Sequence, residues 1–142
     1  MDSCVFCGIV QGKAEASVVY EDLTCAAYMD VQPVNSGHML IVPKVHAAYL
    51  SDLDEDGGAQ LFRVAMRLDG ALRKSGLRCE GVNLFLADGE AAGQEVFHVH
   101  LHVFPRFVGD GFELKFGPRY GLKPSRPSLN EIAVRIKAAM TA

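Results

Sequence analysis

Three histidines alternate along Phe97-His98-Val99-His100-Leu101-His102-Val103-Phe104, and two cysteines stand three apart in Cys4-Val5-Phe6-Cys7. Successive side chains of a β-strand point to opposite faces. Phe97, Val99, Leu101 and Val103 therefore share one face and the imidazoles the other, about 6–7 Å apart. A half-exposed strand that needs only solubility carries Lys, Thr, Glu or Ser at such positions, so the pattern points to chemistry. In-line spacing suits ligation of a single ion poorly. It suits a division of labour, with one imidazole as nucleophile and its neighbours as structural or acid–base groups. Imidazole is nucleophilic at neutral pH because its pKa lies near about 6.5. Its attack on phosphorus would give a phosphoramidate intermediate and split one displacement into two. The C-x-x-C supplies either two thiolates, half of a tetrahedral zinc site, or a redox pair. A redox pair belongs at a helix N-terminus in a βαβ setting, and no such setting is visible here.

These groups need a scaffold, and 142 residues with 49% hydrophobic and 22% charged content match one ordinary globular domain, 1–142. A formal net charge of -3 argues against a nucleic-acid coat or a polybasic membrane binder. No apolar run approaches the length that spans a bilayer, and Met1-Asp2-Ser3-Cys4 opens acidic with no long apolar stretch behind it. A signal peptide is therefore not expected, and the expected compartment is the cytoplasm. Free cysteines fit that compartment. Cys25 lies in the apolar stretch Cys25-Ala26-Ala27-Tyr28-Met29 and reads as a small buried hydrophobe, while Cys79 lies in a connection.

Short apolar runs at Val18–Tyr20, Cys25–Met29 and His38–Val42 predict strands, the third ended by Pro43. Leu61, Phe62, Ala65, Leu68 and Leu72 then recur at helical spacing and predict one apolar face. Asp52, Asp54, Glu55 and Asp56 precede that helix, Arg73-Lys74 end it as the helix dipole prefers, and Gly76 stops it. Val82–Leu86 reads as a strand, Asp88–Gly93 as a turn and Phe97–Phe104 as the strongest strand. A Gly- and Pro-rich loop follows from 109, and a last helix is predicted from about Leu129 to Met140 with Ser128 as its cap and Glu131 three residues on. Short connections and segregated helices give an α+β class with an antiparallel sheet of about five strands, one long helix and a C-terminal helix.

The run His98-Val99-His100-Leu101-His102-Val103-Phe104 resembles the signature of the histidine triad (HIT) family. The likeness extends over residues 4–108: Cys4 to Val10 is similar to the opening of bacterial members, Asp30–Pro33 and Gly37–Pro43 to the nucleoside-binding strands, and Gly93-Gln94 to the segment ahead of the triad. The resemblance implies a HIT-like fold and a homodimeric nucleotidyl hydrolase or transferase. It would act on a purine nucleotide such as AMP in conjugated form, a phosphoramidate or a dinucleoside polyphosphate. It gives His100 the nucleophile's role, sets His102 beside the α-phosphate and makes His38 a support for the triad. It makes Asp30 the holder of the ribose hydroxyls, and puts Gly93, Gln94 and Glu95 with the nucleotide. Phe6, Ile9, Leu23 and Met29 are candidates to wall the base. The related zinc-containing galactose-1-phosphate uridylyltransferases resemble this layout too, which implies structural zinc on Cys4, Cys7, His46 and His98. Two positions depart from the better-known eukaryotic branches: Glu95 replaces Ser or Thr, and Ala87 replaces Asn or Gln. These keep open the alternative of a nucleotide-binding regulatory module with little turnover. No Trp is present to match the C-terminal Trp of some members.

Overall fold

The structure is a computed structural model and describes residues 3–141; Met1 and Asp2, on which the signal-peptide expectation partly rests, and Ala142 lie outside the described residues. The chain divides into two compact units, Met1–Phe112 and Glu113–Ala142. In the first, five strands, β1 (Val18–Glu21), β2 (Cys25–Met29), β3 (Met39–Pro43), β4 (Gly81–Phe85) and β5 (Leu101–Arg106), form an antiparallel sheet in the order β1-β2-β3-β5-β4. Two helices belong to this unit, α1 (Val5–Val10) and α2 (Glu55–Lys74). The expected α+β class and antiparallel sheet are thus observed.

Each face of the sheet has its own apolar cover. α2 buries Leu61, Val64, Ala65, Leu68 and Leu72 against Cys25, Ala27, Ile41, Val99, Leu101 and Val103. On the opposite face α1 sets Phe6 against Tyr28, Leu40 and Val42. β2 and β3 are covered on both faces, which is why they read as continuous apolar runs rather than alternating ones. α2 starts where Asp54 accepts the Gly57 N–H and carries Glu55 and Asp56 in its first turn, as its dipole favours. Its face departs from expectation at Phe62, which is 55% exposed, because Val64 takes the core position instead.

α1 was not expected. Six residues make a helix too short to stand alone in water, so periodicity barely registers it. It exists through tertiary contacts at its N-terminus. The histidine strand also starts later than expected, at Leu101 rather than Phe97. The β3–β5 register would put Pro43, which has no N–H, opposite Val99, and Val99 N–H donates instead to the Ala47 carbonyl at 2.8 Å. His98 and His100 therefore precede the ladder, and Phe97 turns outward, 40% exposed. The expected face assignment holds from Val99 to Val103. The sharp turn into His38 needs Gly37: its φ is +106°, and a Cβ there would lie 3.0 Å from Leu72 Cδ2 and 3.1 Å from Leu77 Cδ1.

In the second unit, α3 (Arg126–Met140) begins one turn earlier than expected. Ser125 is the cap, accepting the N–H of Ser128, which is itself already helical. Pro127 sits in the first turn, where a missing N–H costs nothing. Among the described residues, no helix is long and apolar enough to cross a membrane.

Candidate active site and metal centre

The imidazoles are not on a solvent-facing strand: His98 is fully buried and His100 and His38 nearly so, beneath α1 on one face of the sheet. Their protonation follows from their partners. His100 Nδ1 lies 2.8 Å from the His98 carbonyl, which only accepts, so Nδ1 carries the hydrogen and Nε2 keeps a lone pair. His38 Nδ1 accepts the Val34 N–H at 2.9 Å, so its hydrogen is on Nε2, which donates to His102 Nδ1 at 2.9 Å. His102 in turn carries its hydrogen on Nε2 when neutral. Neutral it is: burial first, then the neighbouring His100 and His38, push its pKa down to about 4. Burial also lowers His38.

Asp30 closes this chain. Its Oδ1 accepts the Gln32 N–H at 2.8 Å, and its Oδ2 lies 3.4 Å from His38 Nε2 and 3.8 Å from His102 Nδ1. The Asp30 N–H donates to the His38 carbonyl, which locks the exit of β2 to the entry of β3.

His38, His100, His102 and Asp30 line a cleft of about 720 Å³. Phe6 and Ile9 of α1 with Tyr28 and Leu40 supply an apolar part of the lining. Ala87, Gly93, Glu95 and Val96 come from the β4–β5 connection, and Val96 packs against the cluster of Phe6, Tyr28 and Leu40. The Phe6 ring meets His100 edge-on with centroids 5.0 Å apart. Of the expected base-wall residues, Phe6, Ile9 and Met29 line the cleft and Leu23 does not; it is 95% exposed on the turn after β1. Gln94 is turned inward: its Oε1 accepts the Gly89 N–H at 2.8 Å and its Nε2 donates to the carbonyls of Ala48 and Val96. Its side chain is a brace for the turn, with every polar atom engaged by main chain, and is no free ligand for a nucleotide. Gly93, with φ +92°, occupies the left-handed position that ends this turn.

Tyr28 was missed. It is buried, lines the cleft, and its hydroxyl has no hydrogen-bond partner among the described residues. The signal was present: Tyr28 and Asp30 stand two apart, so a strand sends both to one face.

Cys4, Cys7, His46 and His98 meet as a second cluster, their ligand atoms all within 4.8 Å of one another. Cys7 Sγ lies 3.3 Å from His46 Nδ1 and 3.5 Å from His98 Nδ1, and Cys4 Sγ lies 3.5 Å from His98 Nδ1. Zinc bonds of about 2.3 Å to sulfur and about 2.05 Å to nitrogen, at tetrahedral angles, set S···N edges of about 3.5 Å. The ring of His98 is oriented for ligation, because its Nε2–H donates to the Pro43 carbonyl at 2.8 Å and leaves Nδ1 free towards both sulfurs. Burial depresses the His98 pKa and so favours the neutral ligand form. Cys4 caps α1, its sulfur accepting the Cys7 N–H at 3.4 Å, a contact that suits a thiolate. The C-x-x-C does therefore sit at a helix N-terminus. What sets it apart from a redox pair is the two imidazoles that complete the tetrahedron. Burial raises the Cys7 thiol, and the adjoining Cys4 raises it further. A cation between the two sulfurs offsets the repulsion of two adjacent thiolates. The residues fit zinc.

A family model described as the HIT domain matches residues 11–109. Among solved structures, a zinc-bound histidine triad family protein from Mycobacterium smegmatis is 43% identical, with TM-score 0.76 over 82% of this chain and 84% of that one. A HIT family protein from Bacillus anthracis is 34% identical with TM-score 0.89, covering 97% of each chain. A HIT family hydrolase from Legionella pneumophila is 34% identical with TM-score 0.63, over 82% of this chain and 99% of that one.

Proposed function

Since this chain belongs to the histidine triad (HIT) family, we propose that it cleaves a purine nucleotide conjugate at the α-phosphorus through a nucleotidyl-histidine on His100. The observation that carries the reading is the His100 tautomer: Nδ1–H is tied to the His98 carbonyl, so the neutral ring has its lone pair on Nε2. In the first step Nε2 bonds to phosphorus. The bond from phosphorus to the leaving atom breaks, its pair stays on that atom, and a proton from water completes it. In the second step water attacks phosphorus and loses a proton to solvent. The P–N bond breaks and the imidazole lone pair returns. His102, neutral and carrying its hydrogen on Nε2, donates to a non-bridging phosphoryl oxygen. His38 holds His102 in that tautomer by donating its Nε2–H to Nδ1, and Asp30 lies beside the same His38 N–H. Asp30 has lone pairs beyond those meeting Gln32 and the histidines, and these accept the ribose hydroxyls. The apolar part of the cleft lining takes the base.

Cys4, Cys7, His46 and His98 hold zinc in this reading, and the Mycobacterium smegmatis relative is zinc-bound. The closed ligand set makes the ion a cross-link between α1, the segment after β3 and the segment before β5. The chain acts as a homodimer, for which Phe62 and Met66, exposed on α2, supply an apolar face.

The rival reading, a nucleotide-binding module with little turnover, is kept by Glu95 and Ala87, which line the cleft from the β4–β5 connection. Hydrolysis of adenosine 5′-phosphoramidate and diadenosine tetraphosphate by wild type and His100→Ala separates the two. Turnover that falls by orders of magnitude in the variant is the expected result. Two equally inert proteins that both bind AMP would leave the binding module.

A further inference from the structure

The charge inventory of the cleft carries an inference beyond the bond that is broken. Among the described residues Glu15, Asp30 and Glu95 line it, and no Lys or Arg does. Asp30 meets the Gln32 N–H and the histidine pair, and its remaining lone pairs are those assigned to the ribose. Glu15 follows α1 in the chain. Glu95 stands on the β4–β5 connection and lines the same cleft as His100 and His102. Among the described residues its carboxylate has no ion pair and no side-chain hydrogen bond. Its backbone is pinned, because the preceding Gln94 is buried and bonded to Gly89, Ala48 and Val96. An exposed, unpaired carboxylate on a pinned stretch of backbone therefore borders the cleft from which a leaving group departs.

We propose that Glu95 is a specificity-determining residue that selects leaving groups bearing positive charge, so that the substrate class is a nucleoside 5′-phosphoramidate of a cationic amine. The inference rests on the cleavage reading above and narrows it. A polyphosphate leaving group would bring several negative charges to a carboxylate with no Lys or Arg among the described residues of the cleft to offset it. A second amino group, carried as an ammonium a few ångströms beyond the scissile P–N bond, meets an opposite charge there. Glu95 gives and takes no proton. The P–N bond breaks with its pair on nitrogen, water supplies the proton, and the diamine leaves. The attraction acts across a partly solvated gap, where a single charge pair at such range changes a rate by about 5–20-fold and weakens with salt.

The test compares kcat/KM for three AMP phosphoramidates matched in their leaving nitrogen: of 1,4-diaminobutane, of butylamine and of 4-aminobutyrate. Wild type is expected to favour the diamine conjugate over the butylamine one by about 5–20-fold and to disfavour the carboxylate one. Glu95→Gln should level the three, and Glu95→Lys should invert the order. Turnover that His100→Ala abolishes, with the same ratios in wild type, Glu95→Gln and Glu95→Lys, would overturn the proposal and leave the cleavage reading standing. A wild type inert towards all three, as His100→Ala is, would overturn both.

Discussion

The main-chain carbonyl of His98 accepts the Nδ1–H of His100 at 2.8 Å, so the residue whose ring faces the two cysteines also fixes the tautomer of its neighbour. His98 is held by its own Nε2–H on Pro43 and by the cluster with Cys4, Cys7 and His46. A disturbance of that cluster has a short path to the imidazole with the free lone pair.

Removal of zinc therefore costs both fold and activity. Stripping the metal, or the change Cys7→Ser, should lower Tm by about 5–10 °C, the shift expected for 2–3 kcal/mol in a domain of this size. Hydrolysis should fall in parallel, and one zinc per chain should be found by elemental analysis. A metal-free protein with unchanged Tm, and no difference on Cys7→Ser, would remove the ion from the account.

His38 acts on the substrate through His102. His38→Ala removes the donor that keeps the His102 hydrogen on Nε2, and leaves the Val34 N–H without its acceptor. A drop in kcat of about 10–100-fold is expected, with KM changed less. His38→Gln, which retains a donor, should recover part of the loss. An effect confined to KM would place His38 in binding instead.

Tyr28 carries a buried hydroxyl with no partner among the described residues, which costs the fold about 1–3 kcal/mol of desolvation. Tyr28→Phe keeps the ring and its edge contact with Phe6 and should raise Tm by about 2–10 °C. Thermal unfolding of the free protein measures it. A lower Tm would mean that the hydroxyl has a partner after all.

Stability should fall as the medium is acidified below neutrality. The unfolded chain takes up a proton on His102 near pH 6.5, while the folded protein does so only near about 4. The unfolded state thus binds more protons throughout that window, and the contribution is fully present above pH 6.5. The cost between pH 7 and pH 5 is about 1–2 kcal/mol from this residue, with His38 adding in the same direction. Urea unfolding at the two pH values reads it, and His102→Gln should flatten the difference.

The sequence alone determined the alternation that puts His98, His100 and His102 on one face, the strands around Cys25–Met29 and Met39–Pro43, and the helix that buries Leu61, Ala65, Leu68 and Leu72. Each of these is local: a period of two or of 3.6 needs no distant partner to be read. The four cysteine and histidine positions of the second cluster were also legible, but only through the likeness to known zinc-containing proteins, since they are spread from residue 4 to residue 98. Tertiary structure decided the rest. α1 is a six-residue helix held in place by Phe6, Ile9 and Val10 on the sheet and by the cysteine–histidine cluster, and Gln94 became a brace because three main-chain groups surround it. The start of β5 was set by Pro43 on another strand. The tautomers of His38, His100 and His102 depend on which carbonyl or N–H faces each ring. Hydrogen-bond direction belongs to pairs of groups brought together by folding, and periodicity in one segment cannot encode it.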